Sequence, residues 1–439
     1  MSSKAKKSTT NEDGKHALVP KLRFPEFQET EGWNVTALNV IAGPVTDRAI
    51  QGEENNILSL SAEHGIVLQN ELFGKKVAGD NSERYLKIAR NDFVYNDRTT
   101  KASTFGTIKR LSKYSGGIVS PIYKCFRFQG DENPVFWDWY FESGAHTKAL
   151  AGLVNEGARA GRFNISITQF LSTAAWRPGK GEQKQIAECL SSADELIAAQ
   201  TRKLDALKTR KKGLMQQLFP REGETKPRLR FPEFQDVGEW ENIPLGDKVD
   251  LLSGYPFDGP DISQDSTGVR LLRGINVTEG RIRHTQEIDR YYTGPTAGLE
   301  KFKVQTNDLV IGMDGSKVGK NSALVSAADD GSLLIQRVAR LRTESPTLIQ
   351  FIFQRVNSTA FHSYVDRINT SSGIPHISAK QIKEFLVCFP SELEQQRIAL
   401  CLSTLDDLIV AESQKLETLK VHKRGLMQHL FPSPEEVEA

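Results

Sequence analysis

Cysteine is scarce in this chain and never closely paired. Four thiols in 439 residues, Cys125, Cys189, Cys388 and Cys401, show no CxxC spacing, which excludes a disulfide framework and the common zinc arrangements. Cys189 and Cys401 fall inside helical apolar patterns, so buried free thiols in a reducing compartment are expected. Long hydrophobic runs are missing too: none approaches the ~18 apolar residues of a membrane-spanning helix. The amino terminus carries Lys4, Lys6 and Lys7 among Ser and Thr, not the apolar core of a signal peptide. The expectation is a cytoplasmic protein without membrane contact. There is also no excess of one charge: 57 Lys and Arg stand against 55 Asp and Glu, a formal charge of +2. Such a balance excludes a uniformly polybasic or acidic chain. It still permits basic residues gathered on one face to meet a polyanion.

The signatures of catalysis are absent as well. The chain has no HExxH, no GxSxG, no EF-hand loop and no Cys/His cluster. Gly315-Ser-Lys-Val-Gly-Lys-Asn321 is one residue short of a phosphate-binding loop and places Asn321 where such a loop needs Ser or Thr for magnesium. Asn133-Pro-Val-Phe136 lacks the second proline of an amino-methyltransferase signature. The eight histidines are scattered, and His376 aligns with Asn164 in the other half of the chain. These absences point to a protein with no catalytic centre and no metal site of its own.

What the sequence does contain, it contains twice. Pro20-Lys-Leu-Arg-Phe-Pro-Glu-Phe-Gln28, followed by Trp33, returns as Pro227-Arg-Leu-Arg-Phe-Pro-Glu-Phe-Gln235, followed by Trp240. Glu182-Gln183 through Gly213-Leu-Met-Gln216 to Leu218-Phe-Pro220 returns as Glu394-Gln395 through Gly425-Leu-Met-Gln428 to Leu430-Phe-Pro432, with about 23 of 39 positions identical. Tandem copies of one unit predict an approximate internal two-fold, suited to a ligand that itself has two similar halves. The copies keep step from about Pro134 and Pro346 onward, and their differences concentrate in the first hundred residues of each.

The globular parts, 20–180 and 220–390, read as mixed α/β. Apolar runs at Asp92–Tyr95, Ile118–Phe128, Asp308–Met313 and Leu333–Leu341 are expected strands, separated by turn-forming Gly, Asn, Asp and Ser. Val135–Phe141 and Thr347–Phe353 are expected helices closing each sheet. Residues 1–19 and 433–439 are expected to be disordered tails. Phe24/Phe27 and Phe231/Phe234 are read as packing anchors rather than base-stacking platforms.

Helices of about 36 residues, or roughly 54 Å, are predicted within 181–219 and 391–432. Their apolar positions follow a 4-3 heptad. In the first these include Ile186, Leu190, Ile197, Leu204, Leu207 and Leu214. In the second they include Ile398, Leu402, Ile409, Leu416, Leu419 and Leu426. Gln200 and Lys211 interrupt one seam, Glu412 and Lys423 the other. Neither stripe is stable alone in water, so an antiparallel pair is expected in which position i meets position 616 − i.

Two loops follow equivalent strands. One carries Arg98, Thr99, Thr100, Lys101 and Thr104; the other carries Asp314, Ser316, Lys317 and Lys320. Side chains of these types on tight loops reach both phosphate oxygens and base edges. Solvated turns would look similar, and only the equivalent placement in two repeats raises the functional reading. Arg273 and Asn276, and the run Gln336-Arg-Val-Ala-Arg-Leu-Arg342, add basic character to the second unit, although alternation in that run also fits arginines facing water.

The repeated leader, the Ile-Ser and Glu-Gln-x-x-Ile-Ala entry to each helix, and the Gly-Leu-Met-Gln-x-Leu-Phe exit resemble the specificity (S) subunit of type I restriction–modification systems, over about residues 20–432. Gly312-Met-Asp-Gly-Ser316 and Ile335-Gln-Arg-Val-Ala-Arg-Leu341 are typical of it; Asn96–Thr104 departs from the glycine loop. The resemblance implies an α+β fold: two tandem mixed α/β target-recognition domains, separated and followed by long helices that pack as an antiparallel coiled coil about a pseudo-two-fold. It implies a non-catalytic reader of double-stranded DNA, each domain taking half of a split asymmetric site. Its partners would be two methyltransferase (M) subunits, plus motor-nuclease (R) subunits. S-adenosylmethionine, ATP and Mg would belong to those partners and not to this chain. A coiled-coil scaffold that joins proteins without reading DNA, and a self-sufficient DNA enzyme, remain the competing readings.

Overall fold

A computed structural model of the protein describes residues 9–10, 16–50, 56–73, 82–99, 103–153, 164–369 and 375–432. The chain divides into two compact units: the described residues up to Thr201 together with those from Lys415, and Arg202–Gln414. Both divisions fall within the long helices, Lys180–Leu218 and Glu392–Leu430, each 39 residues. The sequence reading treated these helices as segments between globular parts. The structure instead gives each unit the start of one helix and the end of the other, because their apolar faces complete the units' cores.

In the first unit, Ile186, Leu190, Leu430 and Phe431 share a core with Trp33, Phe93, Phe126, Phe136 and Trp137. Aromatic pairs fill much of it, with Phe128 stacked on Trp137 at 4.7 Å and Phe93 on Phe126 at 5.2 Å. Among the described residues, this unit has three four-stranded sheets. One pairs Trp33–Ala37 with Ala174–Arg177 and, on its other side, His16–Leu18. The disordered tail expected over 1–19 is thus corrected at His16–Leu18, which form a strand on the free edge of Trp33–Ala37. A second sheet contains a parallel pair, Ile57–Ser61 beside Gly116–Val119. The third is antiparallel, in the order Ala42–Pro44, Lys124–Phe128, Phe93–Asn96, Thr107–Arg110.

The second unit repeats the main pairings of this plan and adds a short hairpin, Val277–Thr278 with Arg281–Ile282. Glu241–Pro244 pairs with Leu386–Phe389, Val269–Leu272 runs parallel to Leu333–Leu334, and an antiparallel sheet runs Asp250–Ser253, Val338–Arg342, Leu309–Gly312, Ser322–Leu324. Its core joins Trp240, Phe351, Phe361, Leu218, Ile398 and Leu402. The expected closing helices are Pro134–Glu142 and Pro346–Val356, each with proline in its first turn and a capping Asn133 or Ser345. Two expected strands are corrected. Ile118–Phe128 and Leu333–Leu341 each break at a tight turn, closed by Tyr123 N–H to Ser120 C=O at 3.1 Å and by Val338 N–H to Ile335 C=O at 3.3 Å, and the chain then enters a different sheet.

The helix segments run antiparallel within each unit. Asp194 meets Lys423 in the first, while Asp406 meets Lys211 and Glu412 meets Lys203 in the second, each at 2.5 Å. Each pair departs by one residue from the 616 − i relation. None of the twelve seam residues is exposed, and Leu190 and Leu402 are fully buried. The polar interruptions of the seam, Lys211, Lys423 and Glu412, are where the helices exchange ion pairs.

The repeated motifs acquire a physical role at the helix starts. Arg23 donates through Nε and Nη2 to both carboxylate oxygens of Glu182 at 2.8 and 2.7 Å, and Trp33 Nε1 adds a bond at 3.1 Å. Arg230 grips Glu394 likewise, at 2.7 Å twice. Gln183 and Gln395 donate back to the carbonyls of Pro178 and Pro390. The leader is therefore a strap that orients each helix start, where an acidic residue also complements the helix dipole. Phe24 and Phe231 pack against their units' cores, as anchors do. Cys125 and Cys388 are buried, whereas Cys189 and Cys401 are only half-buried, correcting the expectation for that pair; all four are free. Burial pushes the Cys125 thiol up to about 12, aided by the nearby Asp92 charge.

Candidate nucleic-acid interface

Each candidate loop is launched from the same local device. Asn91 and Asn307 adopt φ of 74° and 73°, the left-handed region that Asn tolerates better than most residues. The next residue, Asp92 or Asp308, is buried and accepts from a backbone N–H three residues earlier. It is also forked by an arginine of the neighbouring strand, Arg127 at 2.5 and 2.8 Å or Arg342 at 2.7 and 2.6 Å. Strands Phe93–Asn96 and Leu309–Gly312 thereby start from matching, rigid turns and carry their loops to corresponding ends.

In the first unit, Arg98 is exposed, with its N–H bonded to Asn96 Oδ1 at 3.2 Å, Thr99 is half-buried and Thr104 is exposed. Thr100 and Lys101 lie outside the described residues. Just beneath, buried Asp97 pairs with Lys124 at 2.5 Å. Gly106, at φ 80°, lies against this strand, where a Cβ would stand 2.3 Å from the Asn96 carbonyl.

In the second unit, the glycine loop folds on itself. The N–H groups of Val318, Gly319, Lys320 and Asn321 all donate to carbonyls of residues 312–317, and Gly315 N–H donates to Pro375. Those amides are committed, whereas a phosphate cradle needs them pointing outward. Ser316 and Lys317 are exposed; Lys317 pairs with Glu279 at 3.0 Å and Lys320 with Asp366 at 3.6 Å.

Arg273 and Asp314 are brought together. They line one cleft of about 370 Å³ with Ile275, Ile335, Gln336 and Arg337. Asn276 is corrected as a candidate contact. It is wholly buried, accepts from Arg273 N–H at 3.2 Å, and donates to Arg283 C=O at 3.2 Å and Asp289 at 3.0 Å, so it staples the 273–289 loop from within. His284 extends the staple, with its ring nitrogens 2.9 Å from Asp289 and 2.6 Å from Asp329. Of the basic run 336–342, Arg340 and Arg342 are structural. Arg340 is buried beside Asp250, where desolvation, and then the Arg342 charge, lower its guanidinium from the usual range. Gln336 and Arg337, read from the sequence as part of a basic strand, are exposed at the tip of the 335–338 turn; the strand expected across 333–341 concealed that turn.

Residues 274–421 match the family described as the type I restriction modification DNA specificity domain. The match takes in the glycine loop, the 335–338 turn and much of the distal helix. Over that stretch the chain is similar to type I specificity subunits. Among curated relatives, it is 26% identical over 261 residues to the type I restriction enzyme MjaVIII specificity subunit of Methanocaldococcus jannaschii, covering 58% of this chain and 60% of that one. It is 30% identical over 199 residues to the EcoAI specificity subunit of Escherichia coli, covering 43% and 33%. The alignments thus span less than two thirds of these relatives' lengths. The fold is that of a solved S subunit of a type I restriction-modification system from M. genitalium, with a TM-score of 0.59 at 13% identity over 95% of this chain and all of that one. A chain from a solved type I assembly agrees, with a TM-score of 0.53 at 14% identity over 92% and 98%.

Proposed function

We propose that this chain is the non-catalytic, sequence-reading subunit of a type I restriction–modification complex, acting on double-stranded DNA in the cytoplasm. Each unit reads one half of a bipartite, asymmetric site. The helix pair sets the unspecified spacer and docks two methyltransferase subunits, while motor-nuclease subunits complete the assembly. S-adenosylmethionine, ATP and Mg serve those partners. The observation that carries this reading is the repeat itself: two units share sheets, strap and loop-launching turn, yet present different side chains at corresponding loops. A shared scaffold with unlike tips suits two unlike DNA words.

The lysine tips of the second unit, Lys317 and Lys320, have carboxylate partners. Exposed pairs of this kind are worth ~0–1 kcal/mol, so phosphate oxygens can displace them. Local neutralisation also predicts weak DNA binding by the chain alone. Docking is supported by exposed leucines at equivalent helix positions, Leu196 and Leu408, 58% and 40% exposed. The test is a gel shift with the cognate methyltransferase subunit. Sequence-specific, salt-sensitive binding that requires both proteins supports the reading. Methyltransferase capture with no effect on DNA selection would favour the scaffold.

A further inference from the structure

The 335–338 turn holds an arginine in an unusual backbone conformation. Its third residue, Arg337, has φ of 68°. A turn of this shape is ordinarily completed by Gly or Asn, and a long side chain held there stores strain that is characteristic of functional positions. The first unit shows that the strain is not imposed by the fold. Its equivalent turn, Ser120-Pro121-Ile122-Tyr123, joins the corresponding strands and closes with the same hydrogen bond, without a left-handed residue.

The turn is also clamped. Ile335 N–H donates to Leu272 at 3.1 Å and Gln336 N–H to Tyr255 at 2.9 Å; Arg337 C=O accepts from Met313 at 2.9 Å and Val338 C=O from Gly254 at 3.0 Å. Gly254 is required there, since a Cβ would stand 2.1 Å from the Ile335 carbonyl. From this fixed base the Arg337 side chain extends 62% exposed, and Asp314 Oδ2 accepts from Nη1 at 2.9 Å. Asp314 is itself tied into the fold by a backbone bridge to His376. Among the described residues, only one end of the guanidinium is engaged. A rigid, oriented arginine with donors to spare matches the O6/N7 edge of guanine, the pattern that a bidentate arginine recognises in the major groove.

We propose that Arg337 reads a guanine in the half-site of the second unit, with Asp314 as its positioning residue. In the first unit the equivalent tip, Pro121 and half-exposed Ile122, offers no side-chain hydrogen bond and contributes apolar contact only. This rests on the DNA-reading function above and names the atoms that perform it.

The test uses the full chain with its cognate methyltransferase subunit and a DNA library randomised across both half-sites. Arg337→Gly is the informative variant, because glycine relieves the left-handed turn and should leave the melting temperature unchanged or raised. The expected result is a loss of ~10–100-fold in preference for guanine at one position of one half-site, with the other half-site intact. Asp314→Asn should relax the same position while overall binding is retained. An unchanged preference profile in Arg337→Gly overturns the proposal while leaving the DNA-reading function standing. Uniform weakening across all sequences with a shallower salt dependence also overturns it, since that marks a phosphate contact. A wild-type complex with no preference in either half overturns the proposed function and this inference together.

Discussion

At the residue scale, the repeated leader makes sense only through its arginine. Arg23 lies 159 positions from Glu182, so the two repeated motifs were legible separately and their pairing was not; nothing local in either stretch reveals a long-range ion pair. The side chains are 5% and 2% exposed. Removing one partner from such a pair strands a buried charge, so Arg23→Ala should destabilise the chain by ~3–5 kcal/mol. Replacing both residues by leucine should cost less than either single change, and urea unfolding of the four proteins measures this directly. A second prediction concerns acid. His146 sits edge-on to Phe141 at 5.2 Å, and burial lowers its pKa to about 4. The unfolded chain then binds the proton more readily, so stability is full above about pH 6.5 and falls as pH drops towards 4, by on the order of 3 kcal/mol. In His146→Phe the melting temperature should change less between pH 7 and pH 5 than in the parent. Equal shifts would contradict the assignment. Asn276 teaches the converse lesson: its type suited a base contact, and only its burial shows that it holds a loop.

At the element scale, the long helices were the most legible part of the chain, because heptad periodicity over 39 residues leaves little choice. Ion pairs at Asp194–Lys423 and Lys211–Asp406 lie within one residue of the register deduced from the sequence. Cysteines placed at 197 and 419 should crosslink efficiently under mild oxidation, with little linkage from a pair displaced by a full turn; the reverse pattern would refute the register. Short strands were less legible. Ile118–Phe128 and Leu333–Leu341 read as continuous apolar runs, yet each passes a buried strand end into a turn and on to another sheet. Apolar content alone does not mark such a switch, and that is why Gln336 and Arg337 were read as part of a strand rather than as its exposed tip.

At the scale of the whole molecule, the sequence's two copies correspond to two units with the same main sheet pairings, and the variable first hundred residues of each include the strands and loops that differ at their tips. If those tips read DNA, exchanging the loop-bearing part of the first unit for that of a relative should change one half-site and leave the other unaltered. If the helices set the spacer, adding one turn to both, ~5.4 Å, should alter it by about one or two base pairs at ~3.4 Å each. Both outcomes can be read from methylation-site maps. The most direct test of the central claim is a genome-wide map of methylated adenines in cells with the cognate methyltransferase subunit, with and without this chain. The account predicts a split, asymmetric motif that appears only when the chain is present. Methylation that is independent of the chain, or that follows no bipartite motif, would contradict it.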